Sequence, residues 1–218
     1  NKIDLDELYN FGGASGGARP KVHLNIDNED WIIKFGTLND DLNIGLKEFE
    51  ANLLARNSEI NVNDFKLFES NKTKGYFGVK RFDRKNGRKV HVISLSALLE
   101  TTHQIPNLDY MHLFQVIEKI SVDKSDLYEA FKRMVFNCLY GNKDDHGKNF
   151  SFLYDEELNG YVLSPAYDIT KTDYKNEHEM TVLGKANPNI DDLMELARMV
   201  KLSKERCQEI ISNIKNNI

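Results

Sequence analysis

An apolar helical pattern runs straight into a loop of glycine and charge, and that loop runs straight into a strand. Across residues 126–140, Leu127, Phe131, Met134, Val135, Cys138 and Leu139 form one broad apolar stripe at three- and four-residue spacing. Gly141-Asn142-Lys143-Asp144-Asp145-His146-Gly147-Lys148-Asn149-Phe150 follows at once, and residues 149–154 read as β. A loop this polar, pinned between two elements that must be buried, points to chemistry; the competing reading is a solvated turn. Asp168 comes soon after, at the end of a second β segment, residues 161–163, in Ser164-Pro165-Ala166-Tyr167-Asp168-Ile169-Thr170. A carboxylate base, an asparagine and a second carboxylate form a hard-oxygen set. Such a set suits Mg²⁺, which takes one or two protein ligands and completes its shell with substrate phosphates and water.

The rest of the chain divides by hydrophobic period. Strand-like runs occupy residues 21–26, 31–35, 65–69 and 76–82, the first two separated by the polar turn Asp27-Asn28-Glu29-Asp30. One helix interrupts them at residues 44–56, where Leu46, Phe49, Leu53 and Leu54 fall at helical spacing. Asp83 to Arg88 reads as a charged connector. Beyond it, residues 95–101, 111–120, 126–140, 190–200 and 204–214 read as helices, the last with Ser203 as N-cap. The expectation is an α+β, bilobal fold: a small β-rich N-lobe over residues 1–87, a larger helical C-lobe over 88–218, and a cleft between them.

Composition removes several classes. The 218 residues carry a net charge of -5, without the basic balance of a phosphate-binding nucleic-acid partner, so no direct nucleic-acid contact is expected. No apolar run approaches the roughly 20 residues of a membrane span, and no secretory segment is visible. Cys138 and Cys207 stand alone, match no zinc or redox spacing, and read as buried small hydrophobes in a reducing, cytoplasmic setting. His23, His91, His103, His112 and His178 are scattered, with no metal-ligand pair on a helix. Trp31 reads as core, and Lys72, Lys74, Arg84 and Lys85 as solvated turns.

Two further signals lie near the start. Residues 12–17 hold four glycines, which let a backbone approach phosphate oxygens and turn N–H groups toward them. The stretch is neither a Walker A loop, lacking the Lys-Ser/Thr spacing, nor a dinucleotide fingerprint, because a hairpin follows it. Lys34 sits inside the apolar run Trp31-Ile32-Ile33-Lys34-Phe35. Facing inward it needs a partner, and Glu48 on the next helix can supply one; facing outward it is merely solvated. Gly-rich loop, strand lysine, helix glutamate, connector, base loop with asparagine and metal-type aspartate is the order of parts in a two-lobed kinase, so the α+β, bilobal fold is expected to be protein-kinase-like. The His-Arg-Asp and Asp-Phe-Gly triplets of protein kinases are absent.

Asp144-Asp145-His146-Gly147-Lys148-Asn149-Phe150-Ser151 resembles the Asp-x-His-x-Lys-Asn-Phe-Ser signature of the HipA-like serine/threonine kinases, toxins of bacterial toxin–antitoxin pairs. Gly16 to Lys21 is similar to that family's phosphate-loop region, Ile32 to Phe35 to its nucleotide-lysine strand, Val79 to Arg84 to its hinge, and Ser164 to Ile169 to its metal-binding segment. The resemblance implies Asp144 as catalytic base within a loop completed by His146 and Lys148. His146 would structure that loop in preference to moving a proton. Asn149 and Asp168 would hold Mg²⁺. Lys34, paired with Glu48, and the glycine-loop residues Gly16 and Gly17 would serve the ATP phosphates. The backbone of Lys80 and Phe82 would face the adenine, with Asp83 near the ribose. Ser15 would be a regulatory phosphosite, one position beyond the family's usual serine, where Ala14 stands here.

By the same resemblance the chain is expected to be a short, single-module or trimmed form, acting on a translation-related protein such as an aminoacyl-tRNA synthetase and partnered by a helix-turn-helix antitoxin. Two other readings stay open. One is a nucleotide- or antitoxin-binding module with weak catalysis; the other is a small-molecule phosphotransferase.

Overall fold

A computed structural model of the chain describes residues 4–11, 19–37, 39–85, 87–101 and 107–218. A short helix α1 (Leu5–Phe11) precedes the hairpin β1 (Lys21–Ile26) and β2 (Glu29–Lys34). The hairpin closes through two residues instead of the expected four. Asp27 and Asn28 take left-handed φ values of 53° and 63°. A tight turn with both central residues left-handed matches the twist of antiparallel strands, and Asp and Asn tolerate it. Glu29 and Asp30 therefore join the ladder, facing Ile26 and Asn25.

Helix α2 (Ile44–Asn57) follows, then β3 (Phe65–Phe68) and β4 (Tyr76–Lys80). The four strands form one antiparallel sheet in the order β1-β2-β4-β3. The two-residue period of β2 divides the work. Trp31, Ile33 and Phe35 pack with Tyr76 and Leu5 into the core beneath α1. Ile32 and Lys34 face the other way, into the cleft.

Helix α2 packs by a face that its apolar residues do not announce. Its buried residues are Gly45, Glu48, Ala51, Asn52 and Ala55, whereas Leu53 is exposed. The cause is a close approach. A Cβ added at Gly45 would stand 2.2 Å from the carbonyl oxygen of Gly75, so only glycine lets the helix lie this near the loop that enters β4. Small residues set the distance, and Glu48 is carried inward.

The charged connector contains a minimal hairpin, β5 (Arg84–Lys85) with β6 (Arg88–Lys89). Strand β7 (Val92–Ser94) leads into helix α3 (Leu95–Leu98), capped by the Ser94 hydroxyl. Helices α4 (Tyr110–Ile120) and α5 (Asp126–Tyr140) come next, then β8 (Ser151–Asp155) and β9 (Gly160–Leu163), which complete a sheet ordered β7-β8-β9. Helices α6 (Ile190–Met199) and α7 (Lys204–Asn217) finish the C-lobe. The Ser203 hydroxyl accepts from the Arg206 N–H, the expected cap. The large core runs through Leu113, Phe114, Phe131, Met134, Phe152 and Ile211. Cys207 is buried and Cys138 partly so; both are free thiols. Among the described residues no helix is long and apolar enough to cross a membrane.

Candidate active site

The two lobes enclose a cleft of about 310 Å³. Its N-lobe wall is Lys21, Ile32, Lys34, Phe77, Val79 and Phe82; its floor includes Val92, Ser151, Ala166, Tyr167 and Asp168. That volume is at the small end of the range for ligand pockets.

At its inner end the Lys34 ammonium touches two carboxylates at once, those of Glu48 and Asp168. The strand lysine and the helix glutamate are therefore paired. Burial alone would strip the charge from both partners. For Lys34, Asp168 and Glu48 outweigh burial and hold the ammonium above the ordinary lysine range. For Glu48, burial prevails over the attraction of Lys34, and the carboxyl stands above the ordinary range. The charge of Lys34 holds the Asp168 carboxyl below it.

Asp168 is delivered by a constrained segment. The Ala166 N–H donates to the Asn61 carbonyl at 2.7 Å. The Tyr167 hydroxyl donates to the Lys148 carbonyl and meets the Ser151 hydroxyl, both at 2.6 Å. Burial pushes the Tyr167 phenol up to about 12, so it remains a donor. Asp168 itself takes a left-handed φ of 54°.

The catalytic-loop candidates sit opposite. Helix α5 stops at Gly141, whose φ of 86° is free only to glycine. The loop then turns through a single 3₁₀ turn, Gly147–Asn149, into β8. The Asn149 side-chain amide donates to the Asp144 carbonyl at 2.7 Å, which commits its nitrogen and leaves the oxygen as its ligating atom. One amide oxygen and one partly exposed carboxylate, on Asp168, are the hard-oxygen donors that suit an ion keeping most of its shell for phosphate and water. His146 Nε2 lies 3.9 Å from an Asp144 carboxylate oxygen. Lys148 is exposed, and among the described residues only its carbonyl makes a polar contact.

At the hinge, the Lys80 N–H donates to the Asp64 carbonyl, and the Lys80 carbonyl accepts from the Asn63 amide, each at 2.8 Å. Phe82 follows with no backbone partner among the described residues, and its ring lies 5.5 Å from that of Tyr167. Asp83 borders the cleft but is already bound by Arg81 and Arg84 at 2.6 to 2.8 Å. Ser15, Gly16 and Gly17 lie outside the described residues.

Sequence reasoning passed over three participants. Lys21 joins Lys34 in the cleft wall. Asp145, next to the expected base, is buried and accepts from the Tyr110 hydroxyl (2.8 Å), the His178 ring (2.9 Å) and the Glu179 N–H (2.9 Å). Lys175 binds Asp144 and Glu179. Only the run of charge in residues 171–179 hinted at the last.

Known proteins resemble the chain in sequence and in fold. Residues 13–218 match the family described as the HipA-like C-terminal domain. A Sinorhizobium fredii protein named as a kinase, Y4dM, is 26% identical over 200 residues, 80% of this chain and 47% of its own length. The chain thus spans about half of that relative. Among solved structures, HipA of Shewanella oneidensis MR-1, from a complex of HipA, HipB and operator DNA, superposes with a TM-score of 0.74 at 20% identity. That match covers 94% of this chain and 56% of the other. The Helicobacter pylori proinflammatory kinase CtkA superposes at 0.60 with 13% identity, over 90% and 89%. At these identities the likeness is one of fold: the chain has the kinase-like, two-lobed architecture.

Proposed function

The chain belongs to the HipA-like C-terminal domain family, and from that membership and the cleft geometry we propose that it transfers the γ-phosphoryl group of ATP to a serine or threonine hydroxyl of a protein. The observation that carries the reading is the Lys34 ammonium joined to both Glu48 and Asp168. A buried lysine held by two carboxylates at the end of an apolar cleft is a prepared phosphate site.

Each residue has a task in this reading. The adenine would lie between Ile32 and Val79 above and the Tyr167 segment below, facing the Phe82 backbone, with the lobes dividing near residue 87. Lys34 and Lys21 would meet the phosphates. Asn149 and Asp168 would hold Mg²⁺, which would supply charge neutralisation to the phosphates. Asp144 would accept the proton of the acceptor hydroxyl. The hydroxyl oxygen bonds to the γ-phosphorus as the bond to the bridging oxygen breaks, and ADP leaves. His146 would orient Asp144. Ser15, in the glycine loop, would be the chain's own acceptor and an off-switch, since a phosphate there competes for the same N–H donors. The HipB-containing complex of the Shewanella HipA supports a HipB-like antitoxin as partner. A translation-related protein, such as an aminoacyl-tRNA synthetase, would be the acceptor.

Incubation with labelled Mg-ATP tests the reading. Label should enter protein with the wild-type chain and fail to do so with Asp144→Asn. Transfer to a sugar or aminoglycoside in place of protein would reassign the acceptor class. ATP binding without any transfer would leave a binding module.

A further inference from the structure

The stretch after Asp168 returns to the catalytic loop and is stitched to it at both ends. The Thr172 N–H donates to the Gly141 carbonyl at 3.1 Å, and the Lys143 N–H donates to the Thr172 hydroxyl at 2.7 Å. The Lys143 ammonium reaches the Lys175 carbonyl at 3.1 Å. Farther on, buried Asp145 clamps His178 and the Glu179 N–H. Between these anchors the Lys175 ammonium binds an Asp144 carboxylate oxygen at 2.5 Å and the Glu179 carboxylate at 2.6 Å. Burial draws the Lys175 ammonium down, but its bonds to Asp144 and Glu179 prevail and keep it above the ordinary lysine range.

A lysine on a loose strap could plug the site and swing away. This one cannot readily do so, because its neighbours on both sides are tied to the loop that carries Asp144. The residue adjoining the base, Asp145, does part of the tying. Glu179 shares the ammonium and removes one of its rotational freedoms. A carboxylate with one oxygen fixed by a cation presents the other in a single direction, and misplacement by about 1 Å can cost about 10²-fold in rate.

We propose that Lys175 is a positioning residue for phosphoryl transfer, a fixed cation supplied from beyond Asp168 that holds one Asp144 oxygen so that the other faces the acceptor hydroxyl. The inference rests on the phosphotransfer reading above. It places a determinant of turnover outside the Asp144–Ser151 stretch and makes the 172–179 segment part of the catalytic machinery.

The test measures label transfer from Mg-ATP into the chain itself and into casein for wild type, Asp144→Asn, Lys175→Met and Lys175→Arg, with ATP affinity by calorimetry and melting temperature for each. Lys175→Met should lower kcat about 10²-fold, leave the ATP dissociation constant and KM for ATP within about three-fold, and melt as a folded protein. Lys175→Arg should recover most of the lost rate, because a cation of similar reach is restored. An active wild type with an inactive Asp144→Asn, but with Lys175→Met at wild-type rate, overturns this inference and leaves the kinase reading intact. Faster transfer by Lys175→Met also overturns it, marking the lysine as a plug. A wild-type chain that labels neither itself nor casein overturns both.

Discussion

Lys34 and Asp168 lie 134 residues apart in sequence and meet as an ion pair within one cleft. Glu48 completes the contact from α2 and is only 3% exposed. Replacing Lys34 by alanine therefore leaves a buried carboxylate without its cation. Removing one partner of a buried pair costs about 3 kcal/mol. Chemical denaturation should show a loss of that order for Lys34→Ala, and Mg-ATP should stabilise the wild type but not this variant. The double variant Lys34→Met with Glu48→Leu should regain most of the stability and none of the nucleotide effect. Wild-type stability in Lys34→Ala would show that Glu48 is not held by this pair.

Asp144 makes its ion pair at the surface of the loop, with its side chain 37% exposed. Asp144→Asn preserves shape and removes the carboxylate proposed as base. Turnover should fall roughly 10²- to 10⁴-fold with ATP affinity within a few-fold, because a general base acts mainly in the transition state. Steady-state phosphotransfer beside calorimetry separates the two quantities. Full activity would remove Asp144 from that role.

Gly45 sets the spacing between α2 and the sheet, since an added Cβ would stand 2.2 Å from the Gly75 carbonyl oxygen. Gly45→Ala must push the helix outward and draw Glu48 from Lys34. Overpacking of this kind costs about 1–3 kcal/mol. The expected result is a lower melting temperature and weaker ATP binding in the same variant. Ordinarily alanine stabilises a helix interior relative to glycine by roughly 1 kcal/mol, so a stabilised variant would contradict the close packing.

Asp6 on α1 accepts from the Ser70 hydroxyl (2.7 Å), the Tyr76 hydroxyl (2.8 Å) and the Asn71 N–H (2.9 Å). The Asn71 N–H is the main cause that holds its carboxyl below the ordinary range, against a small opposing effect of burial. A lowered folded-state value contributes stability above the unfolded pKa, about 3.9, and that contribution disappears as pH falls through the folded value. Melting temperatures between pH 3 and 6 should therefore decline less steeply in Asp6→Asn than in wild type. Parallel curves would mean that Asp6 carries no linked proton.

Much of the architecture was legible because hydrophobic period and turn residues agree with it. The stripe from Leu127 to Leu139 forecast α5 with its observed ends, and the polar loop after it is the loop that carries Asp144. What stayed hidden has physical reasons. The fully buried face of α2 is small and charged, so counting Leu46, Phe49, Leu53 and Leu54 drew attention to residues at its margin, of which Leu53 is exposed and Leu54 and Phe49 pack only in part. Glu48 was found only through its counterpart Lys34. Strand β7 is three residues long and α1 seven, too short for either period to register. The β5–β6 hairpin pairs charged side chains, which read as a connector. Lys175 and Asp145 acquire meaning only when the chain beyond Asp168 folds back onto its own loop, a proximity that no local pattern records.

The backbone of Asp168 bears on how such a chain drifts under selection. A left-handed residue with a side chain is disfavoured by about 1 kcal/mol relative to glycine, and Asp168 sits at a φ of 54°. Backbone stability alone favours the substitution Asp168→Gly, one base change from an aspartate codon. The ion pair to Lys34 opposes that gain, so a screen for heat resistance sets backbone relief against a lost charge pair, while a screen for phosphotransfer should return aspartate.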